Sequence, residues 1–576
     1  MLSPDMPTVP TRGLDRGRRA SLTTFAHLVA ALLLLAVTGG ARVAAAAPDT
    51  VPPLFDASPS FTRDAAAYGS HPAHALIRGR YVSGRIDVLV RADGLPRVGA
   101  GQRISLNLFD DASFMATVTY VTQQSPVSHT WSGVIDGVEH GYVVLTLSGS
   151  ALAGYVLVPG AVYRIGYAEN GRQVVEQIDP SGFPAESAPV VPSPGGAGAA
   201  RIPDAAADAE PLIDVMVLYT AAARIAAGGT GAIEAEVNVA IASANQAYAN
   251  NGLVQRVRLV FTGEVSIAES GNLLTDLSAL RANSTVAALR RMKGADLVSL
   301  FTSNGPNPSS CGIAYVMTSN STSFAPFGYS VVERLCASSN LSFVHELGHN
   351  MGAAHDPYVS ASEDTLFPYS HGYVNLAGRI RTIMAYNDQC VASGFNCTRI
   401  PYFSTPNLTV SGQAIGDASM SNNASTLGQT ASTVASLVSA VTLSLQAGVT
   451  PTTLAAGQTL IASIGITNPG MPGAADFYIG LVLPDGNTIA FFTATGGIAL
   501  GSVADLGSFR AVAAGVSLAA PFSTAVPSFF SYGWSGTEPH GNYAFFFLAT
   551  QAGALAGWTL SSDAILGVAT APFAFP

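Results

Sequence analysis

Lysine, and charge in general, are scarce in this chain of 576 residues. Lys293 is the single lysine, and charged residues make up 11% of the sequence, against roughly 25% in an average globular protein. Acidic residues outnumber basic ones, 37 to 27, so the net charge is −10. Nucleic acid and anionic membrane surfaces both require a basic protein face, so this composition argues against either as the main partner.

Long hydrophobic runs are also missing after the N-terminal region. Apolar residues reach 48%, which excludes a largely disordered chain. The mean hydropathy of +0.34 owes much to alanine. No later apolar run approaches the roughly 20 residues that a spanning helix needs. The sequence therefore predicts no membrane association once the N-terminal region is removed.

The N-terminal region has the features of an export signal. Several arginines precede an apolar run from Leu28 to Val37, and small residues follow it. This is the order of a secretory signal peptide, and cleavage after Ala46 suits the small-residue rule. A membrane anchor is the alternative, but the apolar run is too short to span a bilayer. We therefore expect residues 1–46 to be a signal peptide and the protein to be secreted.

Cysteine is scarce as well, with four residues in the whole chain. An even number of cysteines in an exported protein favours two disulfides. Three pairings are open, and we favour the nearest neighbours. A cysteine zinc site is the alternative, but no C-x₂-C spacing is present. The favoured pairs are Cys311–Cys336 and Cys390–Cys397.

The sequence of the segment after the signal peptide, residues 47–205, predicts a β-rich structure followed by a linker. Short apolar or alternating runs, among them Ile86 to Val90, are separated by Gly, Asp and Pro turns. The composition then changes, and Ser187 to Pro211 is rich in Ala, Pro and Gly. Such composition is typical of an exposed linker.

Two further segments follow the linker. Residues 206–443 mix strand and helix signals, with a helix predicted over Ile233 to Ala249 and another over Leu273 to Met292. This pattern predicts an α/β domain. Residues 444–576 return to short strands with regular turns and predict a β-sandwich.

The residues best suited to chemistry begin at His345, where the chain reads His-Glu-Leu-Gly-His. On a helix His345 and His349 lie one turn apart on one face, so their imidazoles can bind one zinc ion. Gly352 accepts a positive φ, which lets the chain reverse and bring His355 back to the metal. Three protein nitrogens leave a fourth position open for water, as at catalytic zinc sites.

Glu346 projects beside the same face, where it can take a proton from the attacking water. A motif of this length arises by chance on the order of 10⁻⁵ per chain. The alternative, a run of surface histidines, explains neither Glu346 nor Gly352. We expect one catalytic Zn²⁺. Ca²⁺ is left open, because no calcium motif indicates it.

The pattern H-E-x-x-H-x-x-G-x-x-H resembles the extended zinc motif of the metzincin metallopeptidases. That family has a methionine turn beneath the zinc, and Met384 is the matching residue here. Asp356 after the third histidine resembles the reprolysin branch. Tyr386, two residues after the methionine, instead resembles astacins and serralysins, in which a tyrosine can ligate zinc and stabilise the oxyanion. The resemblance makes Tyr386 a catalytic candidate, with a packed aromatic as the alternative.

A wider stretch is similar to bacterial secreted peptidyl-Asp metalloendopeptidases, which cleave on the amino side of acidic residues. This resemblance implies a pocket with a buried cation, for which arginine is best suited. Arg381 and Arg399 are the candidates, and a structural role for both is the alternative. His371 is a further candidate for substrate binding, with a structural imidazole as the alternative. The similar stretches are Phe367–Tyr373, Arg381–Met384 and Cys397–Ile400.

The order of the segments implies a zymogen. Residues 47–205 are then a propeptide with its linker, and a permanent N-terminal β domain is the alternative. No cysteine precedes Cys311, so a cysteine cannot block the zinc. An aspartate or a chain segment could block it, and the sequence does not decide between them.

The sequence thus predicts a secreted, monomeric zinc endopeptidase that acts on proteins or peptides. Its fold would be multidomain: an α/β (α+β) metzincin-like catalytic domain over residues 206–443, flanked by the β-rich propeptide and the C-terminal β-sandwich. The alternative is a secreted zinc-bearing binding or adhesion protein without turnover. The intact Glu346 argues against it, because a glutamate at that position adds nothing to zinc affinity. A serine hydrolase is disfavoured, since no G-x-S-x-G sequence occurs.

Overall fold

A computed structural model describes most of the chain. The predicted signal peptide, and residues 193–209 of the predicted linker Ser187–Pro211, lie outside the described residues. The described residues divide into two compact units, one within residues 46–440 and one within 441–576. Among the helices that the structure describes, none is long and apolar enough to cross a membrane. The described ranges are 51–56, 75–168, 171–192, 210–303, 309–360, 365–471, 473–557 and 564–576.

The first unit begins with an eight-stranded antiparallel sheet in the order β1-β8-β7-β6-β5-β4-β3-β2. Each strand from β2 to β8 pairs with its neighbour in sequence, and β1 adds to β8. Strands β5 and β6 are buried on both faces, which accounts for their almost continuous apolar sequence. The strands are β1 (Leu76–Ser83), β2 (Arg103–Phe109), β3 (Ala112–Ser125), β4 (Ser128–Ile135), β5 (Tyr142–Ser148), β6 (Ala151–Val158), β7 (Ala161–Tyr167) and β8 (Arg172–Ile178).

The prediction of a strand from Ile86 to Val90 is wrong. Ile86–Leu89 form a single helical turn, α1, whose adjacent residues Val88 and Leu89 are both buried. The run has four apolar residues around Asp87 and is too short for its periodicity to separate a strand from a helical turn.

The second part of this unit is built around a five-stranded sheet in the order β10-β9-β11-β13-β12. Four strands are parallel, and β12 is an antiparallel edge strand. The helix predicted from Leu273 to Met292 is broken at Asn283, whose side chain accepts a hydrogen bond from Val286 N and caps a second helix. The strands are β9 (Leu212–Tyr219), β10 (Arg256–Glu264), β11 (Leu297–Thr302), β12 (Gly312–Ala314) and β13 (Tyr329–Glu333).

Helices cover this sheet, and short strands follow it. The helices are α2 (Ala221–Ala227), α3 (Thr230–Asn250), α4 (Leu273–Ala282), α5 (Ser284–Lys293), α6 (Arg334–Ser339), α7 (Ser342–Asn350), α8 (Pro357–Ser360), α9 (Asp388–Ala392) and α10 (Asn423–Val434). The short strands are β14 (Val374–Asn375), β15 (Ile380–Arg381), β16 (Thr398–Arg399), β17 (Thr405–Val410) and β18 (Gln413–Ile415).

The N-terminal sheet and the five-stranded sheet share a hydrophobic core. Tyr142 and Val144 of β5 and Tyr155 of β6 belong to the same buried cluster as Ile233 and Val237 of α3. Burial of apolar surface contributes on the order of 25 cal/mol per Å² to stability. The residues on both sides of the linker therefore form one unit through their packing, whatever happens to the chain between them.

The C-terminal unit contains two antiparallel sheets, and its first residue lies three positions before the predicted start at 444. One sheet has the order β19-β20-β25. The other has the order β23-β22-β21-β26-β27, with β24 beside β21. Trp534, Tyr543 and Phe573 are buried and in ring contact, as is typical of a packed core. The strands are β19 (Ser444–Thr450), β20 (Thr459–Asn468), β21 (Ala474–Val482), β22 (Thr488–Phe492), β23 (Ile498–Ser502), β24 (Ala513–Ser517), β25 (Phe522–Gly533), β26 (Gly541–Gln551) and β27 (Ile565–Phe575).

Candidate active site

Helix α7 and the turn after it bring the three histidines of the motif together. His345 and His349 lie one turn apart on the buried helix. The helix ends at Asn350, Gly352 just beyond it adopts a φ of +89°, and the amide of Ala353 donates to the carbonyl of Gly348. A residue with a Cβ is strained at that φ, so the reversal depends on glycine. The chain then returns with His355 beside the helix.

The three imidazoles converge on one point. The Nε2 atoms of His345 and His355 are 3.1 Å apart, and Nε2 of His349 lies 3.1 Å from the first and 3.0 Å from the second. All three side chains are buried. Such a cluster has the nitrogen donor set and spacing that a single tetrahedral zinc ion requires.

Hydrogen bonds fix the tautomers of two of these imidazoles. Nδ1 of His345 lies 2.9 Å from the carbonyl oxygen of Ile383, and Nδ1 of His349 lies 2.8 Å from that of Ala353. A carbonyl oxygen only accepts, so both Nδ1 atoms carry the proton and donate. Each Nε2 lone pair is then left for a metal. Burial lowers the pKa of His345 to about 4 and the pKa of His349 and His355 well below the usual value, so all three are neutral at pH 7.

The carboxylate of Glu346 lies in the same buried space. Neither of its oxygens has a hydrogen-bond partner among the residues that the structure describes. Burial, reinforced by the nearby Glu186, raises its pKa well above the usual value. A buried carboxylate without a partner is costly unless water or a cation meets it. This orphaned acid beside three convergent nitrogens shows that the residues fit a zinc ion with a water.

The edge strand β12 passes directly beside that carboxylate. A Cβ built on Gly312 would overlap Oε1 of Glu346. Glycine at this position therefore lets a peptide backbone approach the acid closely. Cys311 precedes this strand and forms a disulfide with Cys336 of α6, and the second disulfide joins Cys390 to Cys397. Both disulfides are those favoured from the sequence.

Met384 lies in a turn that supports the site from below. It is fully buried, and a Cβ on Gly348 would come within 2.6 Å of its sulfur. The neighbouring Ile383 holds His345 through its carbonyl. Asp356 ties the same turn in place: its Oδ2 accepts from the amide of Tyr386 at 2.8 Å. The methionine turn and the histidine helix are therefore held together by packing and by hydrogen bonds.

The ring of Tyr386 lies against the histidines. Its centroid is 4.1 Å from that of His355 and 6.3 Å from that of His345. Its hydroxyl donates a hydrogen bond of 2.5 Å to the backbone carbonyl of Glu186. The hydroxyl therefore binds a peptide carbonyl next to the three histidines.

The three predicted substrate-binding residues are buried but have different surroundings. Arg399 forms a two-pronged ion pair with the carboxylate of Glu186, at 2.5 and 2.9 Å. Arg381 donates to the carbonyl of Ala385 at 2.6 Å. The Nδ1 of His371 lies 2.8 Å from the carbonyl of His355 and supports the backbone of that histidine.

Sequence reasoning missed three residues beside Arg399. Glu186 lies in the N-terminal part of the chain, and its carboxylate also accepts hydrogen bonds from Ser342 and Asn340. Glu186 carries a signal that could have been noticed, since it is the only charged residue between Asp179 and Arg201. Ser342 and Asn340 offer none, because nothing local distinguishes them from other polar residues near a helix start.

Comparison with known proteins places the site in a family. The family model of metallo-peptidase family M12 (Reprolysin_5) matches residues 210–404. The peptidyl-Asp metalloendopeptidase of Xanthomonas campestris pv. campestris is 29% identical over 409 residues, which are 66% of this chain and 93% of that protein. The protein of the same name from Stenotrophomonas maltophilia strain R551-3 is 33% identical over 310 residues, 51% of this chain and 70% of that protein.

A third relative, from Pseudomonas aeruginosa, also has the name peptidyl-Asp metalloendopeptidase. It is 32% identical over 231 residues, which are 36% of this chain and 37% of the relative. The matched regions include the histidine helix, its turn and the methionine turn described above. By this similarity and by its site, the chain belongs to metallopeptidase family M12 and is a metzincin-like zinc metalloendopeptidase.

Proposed function

We propose that the protein is a secreted endopeptidase that cuts on the amino side of acidic residues, with Glu346 as its general base. His345, His349 and His355 would hold one zinc ion. The observation that carries this proposal is the convergence of three buried, neutral imidazoles beside the orphaned carboxylate of Glu346. A structural zinc site has no use for that acid.

Different residues of the chain have different roles in hydrolysis. Zinc, when bound, polarises the scissile carbonyl and makes water acidic enough to attack near neutral pH. Glu346 takes the proton of the attacking water and passes it to the leaving amine. Burial raises its pKa, so the acid is a strong enough base to accept that proton. The hydroxyl of Tyr386 would stabilise the oxyanion, from the place where it now binds a carbonyl.

The preference for acidic residues is supported by two observations. The relatives have the name peptidyl-Asp metalloendopeptidase. In this chain Arg399 is buried near the site and binds a carboxylate with both prongs of its guanidinium, the geometry that best recognises a carboxylate. Arg381, the other candidate, contacts a backbone carbonyl and would support the same region.

Export and processing complete the proposal. The order of charged, apolar and small residues before Ala46 supports removal of residues 1–46 as a signal peptide. Residues 47–205 would act as a propeptide, and the mature enzyme would work outside the cell as a monomer on proteins or peptides. Sequencing the N-terminus of the active enzyme tests this: a start near residue 206 is expected, and a fully active enzyme that starts at Ala47 would contradict it.

The catalytic part of the proposal is tested with Glu346→Gln, which keeps the shape of the side chain and removes the base. We expect one zinc per chain, measured by elemental analysis, in both wild type and variant. We expect kcat to fall by roughly 10²–10⁴-fold. Glu139→Gln is the matched control, since that side chain is 75% exposed. A Glu346→Gln enzyme with wild-type turnover would remove Glu346 from the mechanism.

A further inference from the structure

We infer that Ala185–Val190 is an autoinhibitory strand, and that Glu186 fills the pocket that selects acidic side chains of substrates. The occupant of the active site would thus be a segment of the chain itself, and its carboxylate identifies the residues that determine specificity. This inference rests on the proposed function, because it assigns the regulation and the pocket of that same site.

The segment is paired with the edge strand of the active-site sheet. The amide of Ser187 donates to the carbonyl of Gly312 at 2.8 Å, and the amide of Val190 donates to that of Ala314 at 2.9 Å. Val190 runs parallel to Tyr315 in an isolated bridge. An exposed strand edge binds extended peptides through such main-chain hydrogen bonds. The segment therefore occupies the edge along which another extended peptide would have to pair.

A second set of contacts fixes the side chain of Glu186. Oε1 accepts from Arg399 Nη1 at 2.5 Å, from Ser342 Oγ at 2.8 Å and from Asn340 Nδ2 at 3.2 Å, and Oε2 accepts from Arg399 Nη2 at 2.9 Å. The side chains of Glu186 and Arg399 are 1% and 2% exposed. Four hydrogen bonds are donated to this carboxylate inside a closed pocket. This arrangement is typical of specific carboxylate recognition and differs from an incidental ion pair on the surface.

The pocket needs an anion to be stable. Arg381 and Arg399 are both buried, and both donate to the carbonyl of Ala385. Burial, and then the neighbouring Arg399, lower the pKa of Arg381 to about 9. Two adjacent buried cations are costly unless anions face them. Asp356 and Asp388 also act on Arg381, whereas Glu186 pairs directly with Arg399 in the intact chain. An aspartate or glutamate of a substrate would take the place of Glu186 after the segment has left.

The backbone of the segment also occupies the reaction centre. The carbonyl of Glu186 accepts the hydrogen bond of the Tyr386 hydroxyl, and Gly312, which pairs with Ser187, lies against Glu346. The segment therefore occupies the hydroxyl of Tyr386 and pairs with the strand that lies against Glu346. A substrate oxygen cannot bind the Tyr386 hydroxyl until Ala185–Val190 has been displaced.

The first test measures the strand without any turnover. It uses the full chain with Glu346→Gln, so that the enzyme cannot process itself, and follows amide exchange of residues 183–192 by mass spectrometry. Adding Glu186→Ala should speed exchange there by roughly tenfold or more, since the charge-assisted hydrogen bonds of that carboxylate are lost. The same chain with Glu139→Ala should exchange at the parent rate. Unchanged exchange in the Glu186→Ala chain would overturn the inference.

The second test measures release of activity in full chains whose integrity is checked by mass spectrometry. Two quenched peptides are used that differ only in one residue, Asp or Asn. The uncut wild type should be at least tenfold slower on the Asp peptide than uncut Glu186→Ala. Uncut Glu186→Gln, which keeps the shape but not the charge, should also be faster than wild type. Equal rates for wild type and both variants would overturn the autoinhibitory role.

The pocket is tested by Arg399→Lys in the Glu186→Ala chain. Lysine keeps the positive charge but lacks the planar guanidinium that donates two parallel hydrogen bonds. The ratio of kcat/KM for the Asp peptide to kcat/KM for the Asn peptide should therefore fall roughly tenfold, mainly through a higher KM for the Asp peptide. The rate on the Asn peptide is the internal control for folding. A preserved preference would remove Arg399 from the pocket. If neither the wild type nor any variant cleaves either peptide, while the amide exchange of residues 183–192 still depends on Glu186, the proposed peptidase function is wrong. The binding of the segment through Glu186 would then still hold.

Discussion

At the scale of single residues, the site depends on glycine at a helix position where alanine is normally preferred. Gly348 is on the buried helix α7, and helix interiors normally favour alanine over glycine by about 1 kcal/mol. Here a Cβ would come within 2.6 Å of the sulfur of Met384. The contact between the histidine helix and the methionine turn therefore reverses the usual preference.

We predict that Gly348→Ala destabilises the protein by about 1–3 kcal/mol, the usual cost of overpacking a core. Gly428→Ala in helix α10 is the matched control, because its Cβ would meet only Leu253 at 3.8 Å, an ordinary contact. That control should gain a few tenths to about 1 kcal/mol. Urea denaturation of both variants measures the two effects. Stabilisation by both substitutions would show that Met384 does not pack as described.

The residues of the site differ in how well the sequence reveals them. His345, Glu346, His349, Gly352 and His355 lie within eleven positions, so helix geometry and the needs of zinc relate them to one another. Glu186 is 213 positions from Arg399. No local pattern relates such a pair, because the fold alone brings them together. The pocket arginine was predicted through family resemblance, and its partner was not.

At the scale of elements, the strand-rich character of the N-terminal segment was predicted from its short apolar runs, and short or interrupted elements were not. Helix α1 has a single turn, which leaves no period to read. Asn283 divides one apolar pattern into two helices, since its side chain competes for the backbone and caps the second. Elements that depend on one polar residue or one turn are the ones that periodicity misses.

A buried ion-pair cluster joins the N-terminal sheet to the helices of the active-site part. Glu236 of α3 binds Arg164 of β7 at 2.5 Å and Arg334 of α6 at 2.8 Å. Burial alone would raise the pKa of Glu236, but the charges of Arg334 and Arg164 outweigh it and hold the pKa below its usual value. The pair therefore stabilises the fold when Glu236 is ionised.

We predict that Glu236→Gln lowers the free energy of unfolding at pH 7 by roughly 3–5 kcal/mol, because the buried Arg334 loses its anionic partner and Arg164 keeps only Glu176. Since the folded pKa is depressed, this contribution is present above the unfolded pKa of about 4.3 and is lost as the pH falls through the folded value. The difference between variant and wild type should accordingly shrink below about pH 4. Urea denaturation at pH 7 and pH 3 measures it.

Glu264→Gln is the control for this prediction. Glu264 pairs with Arg224, but both side chains are a third or more exposed, 41% and 33%. Solvent screens such a pair, so the variant should unfold at nearly the wild-type urea concentration. Equal losses for the buried and the exposed pair would contradict the role given to the cluster.

At the scale of the whole molecule, the metal and the shared core connect stability to function. Three buried imidazoles gather around one point, and an ion bound there stabilises only the folded chain. We predict that chelation lowers the melting temperature, with up to about 4 kcal/mol lost if free zinc had been 1,000-fold above Kd. Calorimetry with and without chelator measures this. In the His345→Ala variant the chelator should change the melting temperature little. A shift as large as that of the wild type would show that the metal binds elsewhere.

The shared core also predicts how the molecule behaves after processing. Strands β5 and β6 pack on helix α3, and Ala185–Val190 pairs with β12. A protease site inserted between residues 195 and 200 should therefore give two fragments that stay together on size exclusion. The complex should remain slow on substrates until the N-terminal fragment is degraded. Fragments that separate at once would contradict this packing.

We propose that this chain hydrolyses peptide bonds before acidic residues with zinc and Glu346. The most direct measurement incubates the processed protein with a denatured, unrelated protein and reads each cleavage site by mass spectrometry. Chelated protein and Glu346→Gln run beside it. We expect each cleavage site to be followed by an acidic residue, and we expect no cleavage in either control. Cleavage that survives in both controls, or cuts with no preference for acidic residues, would contradict it.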